Sequence, residues 1–178
     1  MLSMAIPDYR YCFDHFRLPT RLSDWLRAYR EDISAPDCDM VFDSHSLRAR
    51  YKEGHDFLQS TCIEKSTPHG FVANRDIENA YRLYGDLLAP NPDYFDVYCT
   101  VAFGAALEPM VRDLIFLRGL DFEVVEVSQT YGHEFFAHLR KSTGPIVSPE
   151  DNFELRDNLL MQIDRGLGPL GFGAKKAW

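Results

Sequence analysis

The residues DFEVVEVSQTYGHEFFAHLR, numbered 121–140, contain two predicted strands in this chain of 178 residues. Asp121–Ser128 has the composition of a β-strand, and Glu134–Arg140 is predicted to form a second strand. The intervening residues, Gln129–Gly132, are predicted to turn the chain between them. The stretch therefore indicates two strands joined by a short turn, which places a β-sheet in the C-terminal half of the chain.

Helices are predicted on both sides of this stretch from apolar residues that recur at helical spacing. One runs from about residue 20 to 33, with inward positions at Leu22, Trp25, Leu26, Tyr29 and Ile33. A second covers 75–88, with Asn74 as its cap and Pro90 after its end. The last begins at Ser148-Pro149, where a hydroxyl cap precedes a proline in the first turn, and Gly166 is expected to end it.

A strand is also predicted over Tyr94–Phe103, because apolar residues alternate there with other residues at a period of two. A short helix should follow, with Pro109 in its first turn and Gly119 as its terminator. With the strands and helix described above, the order of elements in the C-terminal half becomes β-α-β-β-α.

The N-terminal half is predicted to repeat this order, with strands at Tyr9–Phe16 and Cys38–Asp43 and helices at 20–33 and 75–88. Residues 46–64 fit either a helix or a hairpin, and we favour the hairpin because it keeps the two halves alike. The fold class is therefore α+β, with mixed or antiparallel sheet packed by helices. We expect a single domain over residues 1–165, built from halves 1–90 and 91–165, and an irregular tail over 166–178.

Composition and charge limit the classes of function. Hydrophobic residues make up 46% of the chain and charged residues 26%, which is typical of a globular protein. No stretch approaches the roughly 20 apolar residues that a membrane-spanning helix needs. The net charge of −8 disfavours direct binding to nucleic acid. The cysteines, which include no Cys-x-x-Cys pair, resemble buried thiols of a reducing compartment and indicate a cytoplasmic protein.

Two groups of residues are candidates for chemistry. His133 and His138 are five apart, which is the wrong spacing for a helical zinc motif, although Glu134 and His138 would share one face of a strand. Asp39, Asp43 and His45 could hold a divalent cation at the end of a strand. Neither group forms a complete catalytic set, so the sequence predicts no catalytic residues, no cofactor and no resident metal.

The remaining feature is an acidic surface. Four acids lie within 121–134 with no Lys or Arg between them, and more acids follow on the last helix. The residues predicted to bind a partner are Asp121, Glu123, Glu126, Tyr131, Glu134, Glu150, Asp151 and Glu154. We expect a non-catalytic binding module, of the immunity, antitoxin or inhibitor type, that covers a basic protein with an acidic aromatic face. The alternative is a small-molecule- or metal-binding enzyme or sensor with a pocket between the halves, and a homo-oligomer is left open.

Overall fold

The computed structural model describes residues 1–53, 56–58, 70–73, 76–89, 93–118, 121–142 and 148–167. Helices and antiparallel sheets are both present, which confirms the α+β class. The strands are β1 (Leu2–Pro7), β2 (Ala49–Glu53), β3 (Asp56–Leu58), β4 (Phe71–Ala73), β5 (Phe122–Val127) and β6 (Glu134–Lys141). The α-helices are α1 (Leu22–Arg30), α2 (Cys38–Ser46), α3 (Ile77–Leu87), α4 (Gly104–Arg118) and α5 (Pro149–Leu167).

The first sheet has the strand order β1-β6-β5 and is antiparallel throughout. Strands β5 and β6 are the two strands predicted from residues 121–140, and the turn between them contains Gly132 at a φ of 63°. Glycine adopts this left-handed conformation without the steric cost that a side chain would add. Strand β1, at Leu2–Pro7, was not predicted.

The main core lies where this sheet packs against α4. Phe135 and Ala137 of β6 are 0% and 1% exposed, and they cluster with Leu107 of α4. Trp25 of α1 packs against the same cluster, so α4 and the N-terminal helix α1 share one core. Helix α4 therefore covers one face of the sheet around its central strand, β6, and the other face is open, as is common in antiparallel sheets.

The second sheet has the order β3-β2-β4 and is also antiparallel. Strands β2 and β3 confirm the hairpin favoured for residues 46–64, because Tyr51 pairs with Leu58 and Glu53 with Asp56. The prediction for 59–64 lies outside the described residues.

The three helices predicted from apolar spacing are confirmed as α1, α3 and α5. The cap of α3 is Asp76, whose side chain accepts the Asn79 N–H at 3.2 Å, and not Asn74. Helix α5 begins as predicted, with the Ser148 hydroxyl accepting the Asp151 N–H at 3.1 Å, and it continues one residue beyond Gly166 to Leu167. The prediction of an inward Tyr29 was wrong, because this side chain is 76% exposed.

The strand predicted at Tyr94–Phe103 is wrong. Residues 93–100 form no strand, and only Ala102 makes an isolated parallel bridge, to Asp8. Burial does not follow the sequence alternation to its end: Val101, Ala102 and Phe103 are consecutive and are 3%, 1% and 1% exposed, whereas Cys99 is exposed. The backbone N–H of Val101 is satisfied by the Thr20 hydroxyl at 2.9 Å instead of by a neighbouring strand.

The helix after this segment begins earlier than predicted, at Gly104, so that Pro109 lies inside it. A Cβ atom at Gly104 would lie 3.0 Å from the Ser128 carbonyl oxygen and 3.3 Å from a Val127 methyl. The absence of a side chain therefore allows the start of α4 to approach the end of β5 closely.

Two N-terminal strand predictions are also wrong. Tyr9–Phe16 contains a 3₁₀ turn over Tyr9–Tyr11 followed by further turns. Cys38–Asp43 is the beginning of helix α2, capped by Asp37, whose carboxylate accepts the Met40 N–H at 2.8 Å. A short polar-flanked run is compatible with either structure, and the local cap selects the helix here.

The predicted single domain over 1–165 and the repeat of halves 1–90 and 91–165 stay predictions. The tail predicted at 166–178 lies outside the described residues from 168 onward. Among the described helices, none has both the length and the apolar character needed to cross a membrane.

Candidate functional site

The candidate site is the open side of the β1-β6-β5 sheet, which we call the outer face. On β6, Phe135, Ala137 and Leu139 are buried, so the alternating side chains of this strand point away from the core. Pairing across the strands extends the pattern to the neighbours. The outer face comprises Ser3, Ala5, Glu123, Glu126, Glu134, Phe136, His138 and Arg140.

Charges on the outer face are only partly balanced. Glu123 lies opposite Arg140 and forms an ion pair with it, in which both side chains are substantially exposed. Glu126 lies opposite His138, whose Nδ1 is hydrogen-bonded to the Ser3 hydroxyl at 3.0 Å. Within the described ranges no ion pair neutralises Glu126 or Glu134, so this face keeps an excess of negative charge.

Two aromatic rings accompany these carboxylates. Tyr131 is 83% exposed at the turn between β5 and β6. Its backbone N–H donates to the Glu134 carbonyl at 2.7 Å, and the Glu134 N–H donates back at 3.1 Å. Phe136, 36% exposed, lies on the same face two residues further along β6. The arrangement places two exposed aromatic rings beside the carboxylates of Glu126 and Glu134.

The turn that carries Tyr131 is anchored by a residue that the sequence analysis missed. Asp8 is 0% exposed, and its carboxylate binds both Nε (2.8 Å) and Nη2 (2.6 Å) of Arg10 while accepting the Thr130 hydroxyl. Its backbone N–H donates to the His133 carbonyl at 2.8 Å. A local Asp-Tyr-Arg pattern has no distinctive signature, and Thr130 is 122 residues away in sequence, so no sequence signal identified this anchor.

The acids predicted on the last helix do not share the outer face. Glu150, Asp151 and Glu154 are exposed on the first turns of α5. Helix α5 packs against α4, partly through an Arg156–Asp113 ion pair at 2.9 Å, and α4 covers the inner side of the sheet. Asp121 is exposed just before β5, where its carbonyl accepts the Ser142 N–H. Of the predicted partner-binding residues, the structure thus brings together Glu123, Glu126, Tyr131 and Glu134.

The Glu134–His138 pair considered from the sequence is not formed. The two residues share a face of β6, but four residues of strand separate their Cα atoms by about 13 Å. His138 instead bonds to Ser3, across the sheet. The structure therefore places no carboxylate–imidazole pair at these positions.

The second group of candidates, Asp39, Asp43 and His45, lies on helix α2 and not at a strand end. Burial raises the pKa of Asp43 above its ordinary value despite the nearby charge of Arg17. Burial and then the charge of Arg48 lower the pKa of His45, whose ring meets Phe95 edge-on. Among the residues that the structure describes, no group of three or more His, Cys, Asp or Glu side chains is arranged to hold a metal ion.

A second buried ion pair lies apart from the outer face. Arg17 and Asp14 are 7% and 2% exposed, and Nη1 of Arg17 donates to Asp14 at 3.1 Å and to the Tyr98 carbonyl at 2.9 Å. Burial raises the pKa of Asp14, and Arg17 offsets part of that effect. The pair ties the irregular segment 93–100 to the N-terminal turns, which is a structural role.

Comparisons with protein-family models, with curated proteins and with solved structures find no match to this chain.

Proposed function

We propose that this protein is a non-catalytic protein-binding module of the immunity, antitoxin or inhibitor type, which covers a basic partner protein with its outer face. The observation that carries the proposal is the placement of Tyr131 and Phe136, both exposed, beside the carboxylates of Glu126 and Glu134. Among the residues that the structure describes, no Lys or Arg forms an ion pair with either carboxylate. A basic protein is the fitting partner, because the same charge repels the phosphates of nucleic acid. A cytoplasmic location belongs to the proposal.

Electrostatics supports this assignment in two ways. The net charge of −8 attracts a basic protein from a distance and raises the association rate at low salt. At contact, the exposed rings of Tyr131 and Phe136 supply apolar area, since aromatic side chains commonly dominate the energy of protein interfaces. The anchor at Asp8 supports the backbone of the turn, so that little ordering is required when the partner binds.

The test is affinity capture from cell extract with two matched charge reversals. Glu126→Lys/Glu134→Lys changes the outer face, and Glu150→Lys/Glu154→Lys makes the same change in charge on α5. We expect a basic protein that is retained by the wild type and by the α5 variant, is lost with the outer-face variant, and elutes as salt is raised. Thermal unfolding of both variants checks that each is folded.

Three results would contradict the proposal. The first is that no protein is retained specifically at low salt. The second is that the retained protein is acidic or is held equally by the outer-face variant. Loss of the partner with the α5 variant alone would move the contact to Glu150 and Glu154.

A further inference from the structure

The β1-β6-β5 sheet ends in two edge strands, β1 and β5, and among the described residues neither pairs with another strand, although Asp8, directly after β1, forms an isolated parallel bridge with Ala102. An edge strand presents backbone N–H and C=O groups that can pair with a further strand. Proteins commonly protect such edges with charges, prolines or bulges. The two edges of this sheet differ sharply in that protection.

Strand β5 is protected. Its pairing with β6 is interrupted by a bulge between Val124 and Glu126, and bulges twist an edge away from regular pairing. It also carries Glu123 and Glu126 on the outer face. Antiparallel pairing of two copies through β5, in the register that sets Glu123 opposite Glu126 of the second copy, would bring these carboxylates to about 5 Å, which is destabilising.

Strand β1 has none of this protection before its last residue. Its sequence, LSMAIP, contains no charge, and its register with β6 runs without a shift from the Leu2–Leu139 pair to the Pro7–Glu134 pair. Leu2 is 47% exposed, and Ser3 and Ala5 are exposed as well.

The outward hydrogen-bonding groups of β1 can be assigned from the pairing. The Asp8 N–H donates to the His133 carbonyl, which continues the β1–β6 register by one pair. In an antiparallel ladder directly bonded pairs alternate with unbonded ones. Met4 and Ile6 therefore bond toward β6, whereas the N–H and C=O groups of Ser3 and Ala5 point outward. Pro7 also occupies an outward position, the one place in an edge strand where a missing N–H costs nothing.

We propose that two copies of this chain pair through their β1 strands, antiparallel about a twofold axis at Met4, to form a continuous six-stranded sheet. This register bonds Ser3 of each copy to Ala5 of the other and leaves Pro7 outside the bonded pairs. In this register each even-numbered residue faces an even-numbered residue of the second copy, so Leu2 lies opposite Ile6 of the second copy on the core side. A twofold axis makes the strand its own complement, and the interface is closed at two copies.

The net charge of −8 on each chain does not prevent a second copy from pairing at this edge. Five interstrand spacings of about 4.8 Å put the two β5 strands about 24 Å apart in the paired sheet. That separation is about three times the Debye length at physiological salt, so repulsion between the outer-face carboxylates is largely screened. The proposal does not depend on the basic partner, and pairing leaves the outer faces of both copies open.

The test is the mass of the full chain in solution, measured by sedimentation across a wide range of concentration. We expect the wild type to approach twice 20.5 kDa. The variant Ala5→Pro removes an outward N–H without touching the bonds to β6, and the matched variant Ala5→Val keeps that N–H. We expect Ala5→Pro to raise the dissociation constant of the dimer at least about tenfold, and Ala5→Val to leave it close to the wild-type value.

Hydrogen exchange provides a second measurement that does not depend on the variants. Amides of Ser3 and Ala5 in the wild type should become more protected as concentration rises, while those of β5 should not change. A wild type that stays at 20.5 kDa throughout would overturn the proposal. So would a folded Ala5→Pro variant that dimerises as well as Ala5→Val, or protection that rises at β5 in place of β1.

Discussion

Replacing Asp8 with alanine should be among the most destabilising single changes in this protein. The carboxylate is 0% exposed and satisfies two nitrogen atoms of Arg10, the backbone N–H of Arg10 and the Thr130 hydroxyl. The Arg10 side chain is itself only 14% exposed, and its guanidinium carbon lies 4.4 Å from the centre of the Phe103 ring. Removal of Asp8 therefore leaves a largely buried cation without its counterion.

Breaking a buried ion pair from one side costs about 3–5 kcal/mol, because the remaining charge loses its partner and cannot regain water. We expect Asp8→Ala to lower the free energy of unfolding by an amount in that range. The matched control is Asp86→Ala, which breaks an exposed ion pair with Arg82 on α3, where the two side chains are 59% and 65% exposed. An exposed pair at this spacing contributes about 0.3–0.5 kcal/mol.

Urea unfolding monitored by circular dichroism measures both changes. The single variant Arg10→Ala and the double variant Asp8→Ala/Arg10→Ala complete a double-mutant cycle. The double variant should lose less stability than the sum of the losses in the two single variants, because neither charge is then buried without its partner. A loss below about 1 kcal/mol for Asp8→Ala, similar to that of Asp86→Ala, would refute the reasoning. Strict additivity in the double variant would show that the pair does not act as a unit.

Two further predictions concern pH and backbone packing. Burial raises the folded-state pKa of Asp14, so the stability that this group contributes is full below its unfolded pKa and is lost as pH rises through the folded pKa. Across the acid range, the free energy of unfolding of the wild type should therefore fall relative to that of Asp14→Asn as pH rises. A relative rise with pH would contradict the prediction. Gly104→Ala should cost about 1–3 kcal/mol, since its Cβ would meet the Ser128 carbonyl at 3.0 Å. Gly85→Ala in α3, where nothing lies within 4 Å of the added carbon, should instead raise the free energy of unfolding by about 0.5–1 kcal/mol. Equal effects of the two substitutions in thermal unfolding would show that the close contact at Gly104 does not destabilise the alanine variant.

Local sequence determined those elements whose signals lie within a few residues. The strands β5 and β6 and the helix α5 were identified because strand composition, a turn and a Ser148 cap are each contained in one short segment. The acidic character of β5 was equally visible, since it depends only on which residues the strand contains. These features require no knowledge of what packs against them.

Tertiary structure decided the rest. The strand-like pattern over 94–103 has no neighbouring strand: Val101, Ala102 and Phe103 are all buried, and the Thr20 hydroxyl accepts the Val101 N–H. Which acids share a face depends on α4, which packs on the inner side of the sheet and also against α5. The anchor at Asp8 depends on Thr130, which the fold alone brings within hydrogen-bonding distance. In each case the deciding interaction joins residues far apart in the chain, and no local pattern carries information about such a partner.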